Sequence, residues 1–302
     1  MDVSLEGRRD VLYPWEPAVP ARALVLVLIA AFAHATWNLL AKRASAARHL
    51  IWFTSVGEAV IFLPAAVWAF RSTMRLDAPA VAALVATGVL HLLYFEFLLR
   101  GYRTGDLSVV YPVARGTGPL LSFGGAVWLL EERVSLAATL GAISIAIGIF
   151  ILARAGSRGR GAHRSAIVWG ALTGLTIAAY TLVDGYSVRV LLLSPFLVDY
   201  AGNLLRMFVL TGVALRERAS LMAEYRQYWR ESLAISVLTP IGYILVLIAM
   251  RESTVSHVAP AREVSMLIGA WFGSRFLGEE DPIRRMAGAA LIALGVIALV
   301  AG

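Results

Sequence analysis

The sequence predicts an all-α integral membrane protein whose ten transmembrane helices form two inverted five-helix repeats. Three observations support this fold class: an excess of apolar residues, a series of separate apolar segments, and a similarity between the two halves of the chain. Hydrophobic residues make up 59% of the 302 positions and charged residues 16%, whereas soluble domains average about 45–50% and about 25%. This composition excludes a disordered chain, a collagen and a coiled coil, and it disfavours a soluble enzyme.

Ten apolar segments follow a polar N-terminal tail. A membrane-crossing helix needs about 20 apolar residues, and each segment comes close to that length. The remaining residues suffice for short loops, so we expect no large soluble domain. The predicted segments, in chain order, are 21–41, 50–70, 79–99, 107–130, 135–153, 166–187, 195–215, 232–250, 254–277 and 283–301.

Two of these segments contain prolines, which remove a backbone hydrogen bond when they lie inside a helix. Segment four carries Pro112 and Pro119, and segment nine carries Pro260. We expect both helices to be bent or locally unwound there.

The chain is predicted to consist of a tail and two repeats joined by a basic linker. An alternative for the first segment is a signal peptide cleaved near Ala33 or Ala35, because arginines precede the apolar run. The preceding region is acid-rich and the apolar run continues to Leu40, so a retained helix is favoured. The predicted divisions are 1–20, 21–153, 154–165 and 166–302.

The net charge of +7 reflects short basic clusters between apolar runs, a pattern typical of membrane flanks and not of a nucleic-acid groove. The odd-numbered loops and the adjoining segment ends hold 16 lysines and arginines, whereas the tail, the even-numbered loops and their adjoining segment ends hold 8. The positive-inside rule therefore predicts cytoplasmic odd loops and both termini outside. The opposite orientation, with both termini inside, stays open.

The two halves of the chain resemble each other when one is shifted by 147 residues. Ala114-Arg115 then falls on Ala261-Arg262, Gly141 falls on Gly288, and Gly148 falls on Gly295. Each unit has five predicted spans, and two consecutive units with an odd number of spans must cross the membrane in opposite directions. Inverted repeats of this kind are associated with secondary transporters, which bind their substrate near the bilayer midplane.

Short sequence patterns add a family resemblance that covers about residues 21–301. The first half carries His34-Ala35-Thr36-Trp37-Asn38 with Lys42, Tyr111-Pro112-Val113-Ala114-Arg115-Gly116 with Pro119, Glu131-Glu132, Gly141 and Gly148, and the second half carries Ala259-Pro260-Ala261-Arg262, Gly278-Glu279, Gly288 and Gly295.

In these patterns the chain resembles the drug/metabolite transporter superfamily, and specifically its EamA-type members. The resemblance implies a ten-span efflux or exchange carrier for small metabolites or drugs, often coupled to protons. The matching residues are mostly small, so the resemblance is specific for the superfamily and uninformative about the substrate.

Polar side chains at membrane depth are costly and usually face the bundle interior or a water-filled cavity. His34, Trp37 and Asn38 share one face of segment one, and segment six places Tyr180 and Asp184 on one face. Such faces predict the wall of a binding site, although interhelical hydrogen bonding is the alternative for Asn38. The predicted substrate-binding residues are His34, Trp37, Asn38, His91, Tyr94, Tyr111, Arg115, Tyr180, Asp184, Asn203, Tyr243 and Arg262, and the candidates for proton coupling are His34, Glu58 and Asp184.

The repeat relates Arg115 to Arg262, and each follows a proline. An arginine fork matches a carboxylate or a phosphate, so this pair favours an anionic or zwitterionic substrate. The alternative is a set of structural ion pairs, because buried charges need partners. The acids that could pair with Arg115, Arg206 and Arg262 are Glu58, Glu96, Asp184 and Glu263, whereas Glu131, Glu132, Glu279 and Glu280 lie at span ends and are predicted to be solvated.

No enzyme signature is present: the sequence lacks a Walker loop, a nucleophile elbow and a zinc-protease motif. The five histidines show no metal-ligand spacing, the chain has no cysteine, and we expect no metal and no cofactor. The predicted partners are a small-molecule substrate and the lipid bilayer of an inner or plasma membrane, and we expect no nucleic acid. A homodimer stays open.

The sequence therefore predicts a secondary active transporter for a small polar metabolite, working by alternating access. A polytopic membrane enzyme acting on a lipid-linked substrate and a non-transporting membrane scaffold are the alternatives.

Overall fold

The computed structural model describes residues 21–72, 77–129, 135–152, 160–252 and 264–301. Within these ranges the chain is helical and forms no strand. The helices are α1 (Ala21–Arg43), α2 (Leu50–Ile61), α3 (Leu63–Ser72), α4 (Ala78–Thr104), α5 (Leu107–Leu129), α6 (Leu136–Leu152), α7 (Arg160–Arg189), α8 (Pro195–Arg216), α9 (Arg218–Glu252), α10 (Val264–Phe276) and α11 (Pro282–Ala301).

The second predicted segment is broken into α2 and α3, whose axes differ by 63°. Phe62 lies at the break, and Pro64 follows it in the first turn of α3. Proline lacks an N–H and clashes with the carbonyl one turn earlier, which explains why the helix bends there. Pro64 could have indicated this bend, but the sequence analysis predicted bends only in segments four and nine.

Helix α5 is continuous through Pro112 and Pro119, so the local unwinding expected in segment four is not observed. Pro260 lies outside the described residues. A proline that the sequence analysis passed over, Pro240, lies inside α9, which also departs from helical geometry at Tyr228.

Helix α9 begins at Arg218, although residues 216–231 were predicted to be a loop. Leu221 packs against Phe53 of α2 and Ala214 of α8, and Glu224 accepts a hydrogen bond from the His49 amide at 2.9 Å. This first part of α9 is amphipathic, and its many charges hid it from a search for apolar runs. In the same way, α7 already begins at Arg160, inside the range predicted to be a linker.

Helix packing repeats between the halves. Helix α4 packs against α7 and α8, and α9 packs against α1 and α2. Helix α5 packs against α7, and α10 packs against α1. The shift that relates the two halves of the sequence pairs α1 with α7, α4 with α9 and α5 with α10. Each of these contacts therefore recurs with the halves exchanged.

Helices α6 and α11 meet along a line of glycines. A methyl group added at Gly148 would lie 2.7 Å from the Gly288 carbonyl oxygen, and one added at Gly295 would lie 2.6 Å from the Gly141 carbonyl oxygen. The two helices are therefore antiparallel, and their backbones are in contact because glycine has no side chain. The four glycines are the ones that the repeat relates.

Five of the described helices are long and apolar enough to cross a membrane, or six if α2 and α3 form one bent span. The chain is therefore an all-helical, multi-pass membrane protein, and the total of ten spans stays a prediction. The candidate spans are Leu24–Arg43, Ala78–Thr104, Arg164–Val188, Pro195–Arg216 and Arg218–Ala249, with the bent pair Leu50–Ile61 and Leu63–Ala69.

We expect Gly148→Ala to destabilise the protein by about 1–3 kcal/mol, because the added methyl overpacks the contact with α11. Thermal unfolding of the detergent-solubilised protein measures the effect. The matched control is Gly185→Ala in α7, where an added methyl meets nothing within 4 Å. Alanine favours helix over glycine by up to about 1 kcal/mol, so the control should be neutral or stabilised. Equal responses of the two variants would contradict the tight α6–α11 contact.

Candidate functional site

Five ring-bearing side chains from four helices meet inside the bundle, and we call them the aromatic cluster: Trp37, His91, Tyr94, Tyr180 and Tyr243. The rings of His91 and Tyr180 stack with their centroids 4.2 Å apart. Between ring centroids, the distance is 5.6 Å for Tyr94 and Tyr180, 5.4 Å for Tyr243 and His91, and 6.4 Å for Trp37 and Tyr94. Sequence spacing put these residues on separate helix faces, and the structure brings all five together.

The Asp184 carboxylate borders the aromatic cluster. Thr87 donates its hydroxyl hydrogen to Oδ1, and Tyr243 donates to Oδ2. The His91 Nε2 atom lies 3.9 Å from Oδ2, and the Asp184 side chain is 2% exposed. Thr87 was missed by the sequence analysis, although it precedes His91 by one helical turn on the same face of α4.

A second group joins α2 to α8, and we call it the ion-pair cluster: Glu58, Asn203 and Arg206. Glu58 Oε2 lies 3.7 Å from Arg206 Nη2, and that nitrogen donates to Asn203 Oδ1 at 3.1 Å. Asn203 in turn donates to the Ser55 carbonyl at 3.0 Å. All three side chains are buried. The Arg206–Glu58 pair is one of the pairings that the sequence left open.

The two clusters are adjacent. The Arg206 guanidinium lies 5.0 Å from the centroid of the Phe95 ring. Phe95 packs 5.7 Å from Trp37 and 5.1 Å from Tyr94. Phe95 was not among the predicted site residues, because an aromatic residue in an apolar segment carries no polar signal.

His34 and Asn38 take part in hydrogen bonds within the bundle. The Trp37 indole donates to His34 Nδ1 at 3.0 Å, and Asn38 donates to the His34 carbonyl at 2.7 Å. Asn38 Oδ1 accepts from the hydroxyl of Tyr102 on α4. These bonds support the packing role that the sequence left open for Asn38, whereas the role of His34 stays a prediction.

Tyr111 projects from α5 into the same buried core that contains Trp37 and Tyr180, and Arg115, one helical turn later, is also buried. The Arg115 guanidinium lies 5.6 Å from the centroid of the Tyr111 ring. Arg262, the predicted symmetry mate of Arg115, lies outside the described residues. Of the two arginines that were expected to form a symmetric pair, only Arg115 lies within the described residues, so the pair stays a prediction.

Two buried oxygens in this region have no hydrogen-bond partner among the described residues: Glu58 Oε1 and the Tyr111 hydroxyl. Buried polar atoms without partners are rare, since each forfeits its bonds to water. Glu96, by contrast, pairs with Arg100, whose Nε lies 2.7 Å from the Glu96 Oε1 atom.

A separate ion network closes one end of the bundle, where Arg285 is completely buried. Its Nη2 lies 2.8 Å from Asp106 Oδ2, and its Nη1 lies 3.3 Å from Glu279 Oε2. Glu279 also accepts hydrogen bonds from the amides of Leu107 and Ser108, at 2.7 and 3.1 Å. The prediction that Glu279 is solvated was therefore wrong: it caps the first turn of α5.

This network ties the loop before α5 to the loop before α11, so it joins the two halves of the chain. The sequence analysis missed Arg285 because it counted the residue among the loop charges. Its repeat-related position holds Ala138, so no symmetric signal was present.

We expect Arg285→Met to destabilise the folded protein by about 3–5 kcal/mol, because it leaves the buried Asp106 and Glu279 carboxylates without their cation. The neighbouring variant Arg284→Met is the matched control, since that side chain is 66% exposed and lies 3.8 Å from Asp281. An exposed pair contributes about 0–1 kcal/mol, so the control should hardly change. Thermal unfolding in detergent measures both, and similar losses for the two would contradict the network.

Comparison with known proteins supports the family resemblance that the sequence patterns indicated. Residues 21–154 match the EamA-like transporter family. One solved crystal structure, of a chain described only as a protein, has a TM-score of 0.58 and 17% identity, with 91% of this chain and 95% of that chain covered. At that identity the match shows a shared fold only. No curated protein matches the chain.

The family match covers α1 to α6, which include the patterns around Trp37 and Arg115 that carried the resemblance. The sequence-based resemblance to EamA-type members of the drug/metabolite transporter superfamily is thereby confirmed over residues 21–154.

Proposed function

We propose that this membrane protein is a secondary active transporter for a small, amino-acid-like metabolite, and that it works by alternating access between two inverted five-helix repeats. The observation that carries the proposal is the Asp184 carboxylate buried against the aromatic cluster. The proposed location is an inner or plasma membrane.

The packing of the helices supports the inverted repeat. The contacts of α4 with α7 and α8, and of α5 with α7, recur for α9 and α10, and the antiparallel α6 and α11 meet at repeat-related glycines. A shift of 147 places Trp37 on Asp184, and a shift of 148 places Glu58 on Arg206. Residues in equivalent positions of the two halves thus face the same interior, as a twofold axis lying in the membrane plane requires.

The chemistry of the site supports an amino-acid-like substrate. A carboxylate surrounded by aromatic faces attracts an ammonium group, because ring faces are electron-rich and the carboxylate supplies a full negative charge. Arg206 and Arg115 lie on the other helices of the same core, and a guanidinium binds a carboxylate through two parallel hydrogen bonds. A zwitterion would therefore find a partner for each of its charges.

Binding requires the helices to separate. The rings of the aromatic cluster contact one another directly, so a substrate must replace contacts such as the His91–Tyr180 stack. Motion of α4 and α9 against α7 and α1 would open this space toward one side of the membrane. The bend between α2 and α3, and Pro240 in α9, are positions where the helices have lost backbone hydrogen bonds and could flex.

Transport of this kind needs an ion or a substrate gradient as its energy source. His34, Glu58 and Asp184 stay the predicted sites for a driving proton. Glu58 has the strongest structural support among them, because its Oε1 atom has no hydrogen-bond partner within the described part of the chain.

We expect Asp184→Asn to weaken binding of an amino-acid substrate about tenfold to a hundredfold, the scale of a lost charge-assisted hydrogen bond. Thermal shift with the twenty amino acids, their decarboxylated amines and their deaminated acids identifies a stabilising ligand, and titration gives its affinity. Thr87 can still donate to the amide oxygen, and the Tyr243 hydroxyl can accept from the amide N–H₂ group, so the fold should persist.

Asp77→Asn is the matched control. Asp77 caps α4 by accepting from the Ala80 amide at 3.0 Å, and asparagine caps a helix equally well. Ligand affinity should therefore stay at the wild-type value. Unchanged affinity in Asp184→Asn, with a ligand that still needs its ammonium group, would assign this carboxylate to packing and contradict the proposed site.

Topology gives a separate prediction, which the absence of cysteine makes simple to test. Ala46 lies in the predicted first loop and Val190 in the predicted sixth, and both are exposed. With ten spans and cytoplasmic odd loops, Val190→Cys in intact cells should react with an impermeant thiol reagent, whereas Ala46→Cys should react only after permeabilisation. The reverse pattern would show that the orientation is the opposite of the one predicted. Labelling of both cysteine variants in intact cells would contradict the proposed topology.

A further inference from the structure

A basic pocket of about 320 Å³ lies where the C-terminal ends of α4 and α8 diverge beside the start of α2. Arg48, Arg100 and Arg103 line it, together with His49 and a single acid, Glu96. The lining therefore carries three positive charges against one negative charge. A pocket with this balance favours an anion.

The three arginines are held in place by contacts that leave other donors unused. Arg103 donates through Nε and Nη2 to the carbonyls of Ser45 and Ala47, at 2.7 and 3.3 Å. Arg100 pairs with Glu96 through Nε, and Arg48 pairs with Glu217 through Nη1 at 2.9 Å. A guanidinium has five N–H donors, so each of the three keeps donors for a further oxygen ligand.

An apolar groove of about 350 Å³ adjoins this pocket, between α2 and the amphipathic first part of α9. Its rim residues Met222 and Trp229 are 53% and 44% exposed, so the groove is open along its length. Aromatic residues are concentrated here, as they are at the boundary between lipid and water in membrane proteins. The other lining side chains include Phe53, Val56, Leu221, Tyr225 and Leu233.

Trp52 lines both cavities and separates them. Its indole N–H donates to Thr211 of α8 at 3.0 Å, which fixes the ring between the pocket and the groove. Arg230 lies beside the groove with its guanidinium 5.3 Å from the ring of Trp229. The basic pocket and the apolar groove thus lie side by side at one end of the bundle.

We propose that these two cavities together bind one anionic phospholipid of the surrounding bilayer. The headgroup phosphate accepts hydrogen bonds from Arg48 and Arg100 in the basic pocket, and one acyl chain lies along the groove past Trp52 and Trp229. A water-soluble anion would use the pocket alone and leave the apolar groove without a role. Predicted cytoplasmic loops hold all three arginines of the pocket, and the cytoplasmic leaflet is the one that carries anionic lipid.

This inference does not depend on what the protein transports, so it can be tested on the purified full-length chain. Native mass spectrometry in detergent measures the binding of phosphatidylglycerol, phosphatidylcholine and glycerol phosphate. We expect phosphatidylglycerol to bind about tenfold or more tightly than phosphatidylcholine, because each arginine near a lipid surface favours anionic lipid. Glycerol phosphate should bind far more weakly than either lipid.

Two variants separate the two parts of the site. Arg48→Gln with Arg100→Gln should abolish the preference for phosphatidylglycerol, whereas Arg275→Gln with Arg284→Gln, which changes two exposed arginines in the other half, should retain it. Trp229→Ser should weaken binding of long-chain phosphatidylglycerol and leave a dihexanoyl analogue unaffected. A thermal scan without lipid verifies that each variant is folded.

Three outcomes would overturn the proposal. Equal affinity of the wild type for phosphatidylglycerol and phosphatidylcholine would show that the basic pocket does not select the lipid headgroup. A preference that survives in the Arg48 and Arg100 double variant would place the headgroup elsewhere. Tight binding of glycerol phosphate would identify the pocket as a site for soluble anions.

Discussion

Charged side chains inside this bundle must find their partners within the protein, because neither lipid nor a packed interior provides water to them. Arg285 shows the constraint most completely, since both of its terminal nitrogens meet carboxylates and its Nε donates to a backbone carbonyl. Arg206 meets the same requirement with Glu58 and Asn203. The places where helices of different halves cross are therefore fixed by a small number of ionic contacts.

The same constraint explains how one protein interior can be both stable and receptive. At the Arg285 network every charge is satisfied by a partner from a neighbouring loop, so the network holds the fold. In the central region Glu58 Oε1 and the Tyr111 hydroxyl have no hydrogen-bond partner among the described residues. Polar atoms without partners cost free energy that a bound polar ligand would recover, which agrees with the binding role proposed for the central region.

Much of the fold could be predicted from composition and periodicity. The apolar runs predicted most helices, and the spacing of residues such as Tyr180 and Asp184 predicted that they share a face. Spacing along one helix, however, contains no information about which faces meet. The stacking of His91 on Tyr180 and the bond from Thr87 to Asp184 depend on how α4 and α7 are placed, which only the three-dimensional structure gives.

Other features were misread for physical reasons that apply beyond this chain. Glu279 lies at the end of a span, where acids are usually solvated, and its role as a cap depends on Ser108, which is remote in sequence. The polar first part of α9 was taken for a loop, because an amphipathic helix at a membrane surface has too many charges for a hydropathy search. The bend near Pro64 was missed because bends were expected only at Pro112 and Pro119 in segment four and at Pro260 in segment nine.

The glycine contact between α6 and α11 has a mechanical consequence. Backbones that touch over two pairs of glycines have little room to slide, and the side chains of Ile145, Leu152 and Ile292 pack directly against those glycines. In any motion of one half of the chain against the other, α6 and α11 should therefore stay together as a fixed pair, and the largest displacements are expected at the helices farthest from it. Helices α2 and α8 pack against each other, and among the described residues neither packs extensively against α6 or α11, so the distance between Glu58 and Arg206 would be a sensitive gauge of such a motion.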